Sequence, residues 1–243
     1  MSEQIEKDKI YNCDCLEGMK HIPNASIDLI VTDPPYDFLS HHYSKSYTGA
    51  GAFGKMGRSY HGELEKASII EGFDREAIMR ECVRVMKKVN IYIFCNKDQI
   101  RWYLNFFADY NMELLTWHKT NPIPTCDNKY LSDTEYLLYF REKGVKIYGT
   151  YETKKKYWLQ EINSEDKELW GHPTIKPLNI IQTLIVNSSK EDELVLDPFM
   201  GSGTTAVACI KEKRHYIGFE LNKEYYDKAC KRIDAERRQL SLF

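Results

Sequence analysis

Asp33, Pro34, Pro35 and Tyr36 follow directly on the apolar run Ile27-Asp28-Leu29-Ile30-Val31-Thr32. A buried strand with this ending presents a carboxylate, two prolines and an aromatic ring at its carboxyl end, where open α/β sheets hold their ligands. Proline lacks an N–H and has a fixed φ, so the carbonyls of Asp33 and Pro34 are left to accept hydrogen bonds from outside the sheet. The matching ligand is a donor. A flat heteroaromatic amine meets that requirement, with Tyr36 stacking on its face while Asp33 and the Pro34 carbonyl accept its two amino hydrogens. A plain proline-rich turn after a strand would carry the same four residues, and the motif alone leaves both readings open.

A second constellation lies far downstream. Leu194 to Asp197, Pro198, Phe199, Met200, Gly201, Ser202, Gly203, Thr204, Thr205 and Ala206 read as a strand, a tight turn and a helix start, and Gly201 to Ala206 fits G-x-G-x-x-A. A dinucleotide would set a pyrophosphate over such a turn. Here Asp197 precedes it, and a carboxylate near a helix N-terminus repels phosphate and attracts an ammonium group. S-adenosylmethionine satisfies the pattern: its ammonium and sulfonium suit Asp197, its carboxylate the turn amides, and its ribose diol Glu220, which ends the next strand. Glu220 could equally be a capping acid ahead of Asn222.

The elements that must position these residues alternate. Strand-like runs at Lys9–Asn12, Ile27–Thr32, Ile91–Cys95, Glu113–His118, Thr134–Phe140, Glu193–Asp197 and Tyr216–Glu220 are interleaved with helical patterns. The helices fall at Leu16–Ile22, Asp74–Lys88, Lys97–Asp109, Pro177–Ser188, Gly203–Lys211 and Asn222–Arg238. This is the signature of a doubly wound, mostly parallel α/β sheet. The 243 residues, 42% hydrophobic and 29% charged, fit one domain spanning 1–243 with a small insertion. Residues 37–62 are glycine-rich and too long for an ordinary connection: a mobile lid, a DNA-contacting loop, or disorder without function.

Composition narrows the partners. A net charge of −2 argues against a generic basic coat for nucleic acid, so any such surface must be local. Lys143, Lys146, Lys154, Lys155 and Lys156, interleaved with Tyr148, Tyr151, Tyr157 and Trp158, could form it, or could be a solvated face. Seven scattered cysteines without C-x-x-C spacing fit reduced core thiols better than disulfides or zinc. Cys13 and Cys15 are expected on one face of a strand, with no further cysteine nearby to complete a metal site. No apolar run reaches membrane-spanning length and the charged start lacks a signal-peptide core, which points to a cytoplasmic protein.

Together with His172-Pro173-Thr174-Ile175-Lys176-Pro177 and Asn12 to Met19, these motifs resemble the beta class of bacterial and phage S-adenosylmethionine-dependent amino-methyltransferases of DNA. In that class the Asp-Pro-Pro-Tyr motif precedes the cofactor turn, a circular permutation that nearby surface termini allow. The resemblance implies a seven-stranded Rossmann-like methyltransferase sheet with an antiparallel final hairpin. It implies that Asp14 and Cys15 approach the cofactor adenine, and that His172, Thr174, Lys176 and Leu221 join the cofactor site. It also implies a target-recognition region over 143–171, and it raises the Lys, Tyr and Trp cluster there as a DNA surface. Asp-Pro-Pro-Tyr usually accompanies adenine-N6 and Ser-Pro-Pro-Tyr cytosine-N4, so adenine is the expected base and cytosine the alternative. Homodimers occur among such enzymes, as do restriction partners.

The chemistry expected is direct transfer to a flipped-out base with no metal, leaving S-adenosylhomocysteine. Gln239-Leu240-Ser241-Leu242-Phe243 resembles the peptide by which bacterial proteins bind the replication sliding clamp, with Leu242 and Phe243 as anchors and Gln239 as polar latch. Folding back onto the core, or fraying, is the alternative for this tail.

Overall fold

A computed structural model describes residues 5–35, 74–122, 130–162 and 175–240. Its strands are β1 (Lys9–Tyr11), β2 (Leu29–Thr32), β3 (Asn90–Cys95), β4 (Asn111–Lys119), β5 (Thr134–Arg141), β6 (Tyr157–Gln160), β7 (Leu194–Asp197) and β8 (His215–Phe219). The helices are α1 (Cys15–Met19), α2 (Arg75–Val85), α3 (Ile100–Phe106), α4 (Leu178–Ser188), α5 (Thr204–Lys211) and α6 (Lys223–Leu240). One sheet runs in the order β1-β8-β7-β2-β3-β5-β4-β6. It is parallel except where β5 pairs antiparallel with both β3 and β4.

Both faces of the central strands are buried, which is why they read as continuous apolar runs. The pleat divides their side chains between two cores. Leu29, Val31, Tyr92, Phe94 and Val195 pack with Ile181, Leu184, Ala206 and Ile233 of α4, α5 and α6. Ile30, Ile91, Ile93 and Leu196 pack with Met19, Met79, Cys82 and Tyr103 of α1, α2 and α3. The result is a three-layer helix–sheet–helix sandwich. No helix among the described residues is long and apolar enough to cross a membrane.

Three expectations are revised. The described sheet has eight strands where seven were expected, because residues within 143–171 add β6 to the edge of β4, in parallel register from Thr116↔Tyr157 to Lys119↔Gln160. At four residues, that strand is too short to show a periodic pattern in sequence. Cys13 and Cys15 do not share a strand face: Asp14 caps α1 by accepting from the amides of Leu16 and Glu17, so Cys15 already lies in the first helical turn. The helix expected over 97–109 starts only at Ile100, because the Asn96 side chain accepts from the amides of Asp98 and Gln99 and holds a turn there. Of the seven cysteines, Cys15, Cys82, Cys95 and Cys209 are buried free thiols.

Candidate active site

The chain leaves β2 towards β3 in one direction and leaves β7 towards β8 in the other. The carboxyl ends of β7 and β2 therefore flank a topological switch point, the crevice where open α/β sheets bind ligands. Asp197 is the last residue of β7 and Asp33 follows the last residue of β2, with Leu29↔Val195 and Ile30↔Leu196 in register. Alternation along the two strands sends both carboxylates to the α4/α5 face. Residues separated by most of the chain thus share one crevice.

Asp197 is 5% exposed, and its carboxylate organises the turn that follows. Oδ1 accepts from the Phe199 amide at 3.0 Å, and Oδ2 accepts from the Thr205 hydroxyl at 2.6 Å. Burial pushes its carboxyl up to about 7, against the lowering effect of those two hydrogen bonds, and the nearby Asp33 charge adds to the rise. Gly201 and Gly203 take φ of +53° and +81°. At Gly203 a Cβ would also come within 3.2 Å of the Ala229 Cβ on α6, so the turn has both a conformational and a packing reason for glycine.

Sequence reasoning placed Ser202, Thr204 and Thr205 at the cofactor, but their hydroxyls serve the protein. Arg232 of α6, 5% exposed, donates to the Thr204 hydroxyl at 2.9 Å, the Ser202 hydroxyl at 3.3 Å and the Ser202 carbonyl at 3.4 Å. Arg232 braces the turn from behind. It had no sequence signal beyond one cation on the apolar side of an amphipathic helix.

Both readings of Glu220 meet in the structure. Its Oε1 accepts from the Asn222 amide at 2.7 Å, the capping contact, and its Oε2 accepts from the Gly201 amide at 2.9 Å, which ties the end of β8 to the glycine turn. Burial pushes the Glu220 carboxyl up, opposed by those two bonds. Across β1, the Asn12 amide donates to the carbonyls of Glu220 and Leu221 at 2.8 and 3.0 Å and fixes the floor beside the exposed Asp14. Leu221 is 66% exposed at this edge. Pro198 is buried, Phe199 packs partly against the core, and Cys15, the first residue of α1, is buried, which pushes its thiol up to about 12.

On the other side of the crevice the Lys176 ammonium bonds Asp33 Oδ2, and lies 3.4 Å from Glu135 Oε2. Lys119 in turn holds Glu135 Oε1 at 2.7 Å. Burial pushes the Glu135 carboxyl up, but the Lys176 and Lys119 charges outweigh it and hold it at about 2. Lys176, expected at the cofactor, has its ammonium engaged with the carboxylate of the other motif. A further residue missed in sequence is Gln99, 2% exposed, whose amide donates to the Pro35 carbonyl at 3.1 Å while its oxygen accepts from the Asn96 amide. It anchors the Asp-Pro-Pro backbone to the turn after β3.

Several expected site residues lie outside the described residues: Tyr36, the loop 37–62, His172, Thr174, and Leu242 and Phe243 of the tail. The basic and aromatic cluster is spread along the sheet, from the end opposite Asp33 towards β6. Because β5 runs antiparallel, it returns the chain to the opposite end of the sheet, where Arg141 pairs with Asn90 at the start of β3. Lys143 and Lys146 follow there, and Lys146 lines an open cavity with Lys87, Lys88 and Lys190. Lys155 is paired with Glu152, Lys156 with Glu113, and the Trp158 ring packs partly against the core; Lys154 and Tyr157 remain exposed. Among the described residues no group of three His, Cys, Asp or Glu is placed to hold a metal ion.

Comparison with known proteins converges on one family. The model of the DNA methylase family that covers N6 and N4 methyltransferases matches residues 27–231. The Type II methyltransferase M2.MboI of Moraxella bovis is 30% identical over 92% of this chain and 86% of its own length. The Type II methyltransferase M2.LlaDCHI of Lactococcus lactis subsp. cremoris is 31% identical over 93% and 88%. Among solved structures, the M1.HpyAVI complex with S-adenosylmethionine superposes with a TM-score of 0.66 at 25% identity, covering 92% of this chain and 98% of that one. The cytosine-N4-specific PvuII methyltransferase shares the fold, with a TM-score of 0.69 at 15% identity over 97% and 93%. With its two motifs joined at one crevice and that family's model matched along most of its length, the chain belongs to the N6/N4 DNA methylase family and is a DNA methyltransferase.

Proposed function

We propose that the enzyme transfers a methyl group from S-adenosylmethionine to the exocyclic N6 of adenine in a base rotated out of the duplex. The observation that carries this reading is the placement of Asp33 and the Asp197 turn at the carboxyl ends of adjacent parallel strands. The residues at the turn fit the cofactor chemically. Asp197 supplies a buried negative charge near an ammonium, Glu220 an acceptor for a ribose hydroxyl, and exposed Leu221 an apolar flank for a purine beside Asp14. The neighbour M1.HpyAVI, solved with S-adenosylmethionine, supports the same choice.

The cofactor supplies an electrophilic methyl on a sulfonium. The protein supplies the alignment. An amine conjugated to a purine ring is a poor nucleophile because its lone pair is delocalised. Asp33 and the Pro34 carbonyl, accepting both amino hydrogens, favour a pyramidal nitrogen and stabilise the positive charge that develops on it. Gln99 fixes the backbone that carries both acceptors. No strong base is required, because the nitrogen becomes acidic only after alkylation. Tyr36 stacks on the extruded base and offsets its lost neighbours. Adenine is favoured over cytosine because the motif begins with Asp and not Ser.

Tyr157 and Trp158 of β6, the strand whose last residue Gln160 pairs with Lys119 at the catalytic end, are the proposed DNA contacts nearest this crevice; Lys154, Lys155 and Lys156 precede them along the sheet, and Lys143 and Lys146 lie at its opposite end. Gln239, exposed in the last turn of α6, would begin a sliding-clamp contact completed by Leu242 and Phe243. Removal of residues 239–243 should then abolish capture by the clamp in a pull-down. A modification role alongside a restriction enzyme follows from the Type II relatives, and a homodimer is compatible with the class. The test of the catalytic reading is Asp33→Ala, which should abolish methyl transfer to DNA while S-adenosylhomocysteine still binds by calorimetry. Retained turnover would sink the mechanism.

A further inference from the structure

Lys176 and Glu135 stand 143 and about 100 residues from Asp33 in sequence, a separation at which pairing is set by the fold alone. They meet because β5, running antiparallel, delivers Glu135 to the catalytic edge, where its neighbour Tyr136 pairs with Cys95 of β3. Four charges alternate in sign along this line: Asp33, Lys176, Glu135 and Lys119. Lys176 is 7% exposed and sits 5.1 Å over the Phe94 ring. A buried ion array is seldom a net gain in stability over apolar packing, so its position against the catalytic carboxylate points to a role in the reaction.

We propose that Lys176 is a positioning residue for methyl transfer: its ammonium group, steadied by Glu135 and Lys119, orients the Asp33 carboxylate towards the target amine and keeps it ionised. An ammonium has three donors at tetrahedral angles. With one on Asp33 and another directed to Glu135, its direction is set from both sides, and it pins Oδ2 so that the carboxylate cannot rotate out of line. The ion pair also makes Asp33 a weaker base without removing its capacity to accept, which suits an amine that sheds its proton late. As the carbon–sulfur bond breaks, its electron pair stays on sulfur and the nitrogen lone pair forms the new carbon–nitrogen bond. The proton then leaves the methylated nitrogen for Asp33, and from there passes to water.

Other groups face Asp33 as well. Asp197 on β7, Cys95 on β3 and Tyr103 on α3 all feel the Asp33 charge, and Arg75 on α2 and Glu135 on β5 act on the same Cys95 thiol. The informative quantity is therefore a difference between variants that alter Lys176 alone.

The inference rests on Asp33 being the acceptor of the base amine. Single-turnover methylation of DNA is followed against pH for wild type, Lys176→Met and Lys176→Arg, with S-adenosylhomocysteine affinity measured in parallel. Lys176→Met should slow transfer at least about tenfold at neutral pH and move the acid limb of the profile upward by about one pH unit or more. Its affinity for S-adenosylhomocysteine should stay within about twofold, and Lys176→Arg should restore the limb. If Lys176→Met fails to fold, Lys176→Gln carries the same comparison. An unmoved acid limb, or a loss confined to S-adenosylhomocysteine affinity, would overturn the proposal and make Lys176 a cofactor ligand. Asp33→Asn separates the two levels: full activity in that variant removes the reading of Asp33 itself, whereas inactivity with an unmoved Lys176→Met limb removes only the positioning role.

Discussion

Replacing Asp197 with Asn should stabilise the protein while damaging its function, and the size of the effect can be worked out. Burial lifts the Asp197 carboxyl from 3.8 to about 7. Each pH unit is worth about 1.4 kcal/mol, so ionised Asp197 in the folded state costs up to about 4 kcal/mol. The sign follows from proton counting. Between those limits the folded state retains a proton that the unfolded chain gives up, so stability falls as pH rises from about 4 to about 7 and levels off above. Asparagine removes that dependence. Its oxygen can still accept from the Phe199 amide, and the Thr205 hydroxyl can turn to accept from its NH2. Urea unfolding should therefore show the gap between Asp197→Asn and wild type widening by about 3 kcal/mol from pH 5 to pH 8, or roughly 6–12 °C in melting midpoint. The same variant should lose affinity for S-adenosylhomocysteine. In wild type, binding of that ammonium-bearing ligand at pH 7 should release about half a proton, read from calorimetry in buffers of different ionisation enthalpy. Parallel stability curves for the two proteins across this range would refute the account of Asp197 as a charge held at a cost for a cationic ligand.

Gln99→Leu removes the donor to the Pro35 carbonyl and should lower kcat by about tenfold to a hundredfold, with S-adenosylhomocysteine affinity unchanged in calorimetry. Arg232→Met leaves the Ser202 and Thr204 hydroxyls without their common donor; urea unfolding should show a loss of about 2 kcal/mol, and cofactor affinity should fall because the turn loosens. The double variant Lys143→Ala and Lys146→Ala should leave DNA affinity within about twofold at fixed salt in an anisotropy titration, since both residues follow β5 to the end of the sheet opposite Asp33.

The doubly wound sheet was legible in the sequence because its central strands are buried on both faces and read as unbroken apolar runs between amphipathic helices. That Asp33 and Asp197 serve one site came from the resemblance and its motif order, and the strand order β7-β2 supplies the physical reason, since two adjacent strand ends with opposite onward connections define a switch point. What escaped was tertiary. Lys176 was expected at the cofactor only by resemblance, and only the antiparallel course of β5 shows why Glu135 and Asp33 engage its ammonium. Arg232 and Gln99 look like ordinary polar residues until burial shows what each one holds. The place of the lysine cluster was hidden for a related reason: closeness in sequence says nothing about which end of a sheet the chain has reached when a strand reverses. β6 was hidden because Tyr157 to Gln160 is an edge strand of only four residues, too few for its alternation of exposed and half-buried positions to register in sequence.

The most direct test of the central claim is the identity of the methylated base. The full chain is incubated with duplex DNA and S-adenosylmethionine carrying a labelled methyl group, the DNA is digested to nucleosides, and the labelled product is identified by mass spectrometry, with Asp33→Ala as the blank. Label in N6-methyldeoxyadenosine, absent from the blank, is the predicted result; label in N4-methyldeoxycytidine, or equal label with and without Asp33, would contradict it.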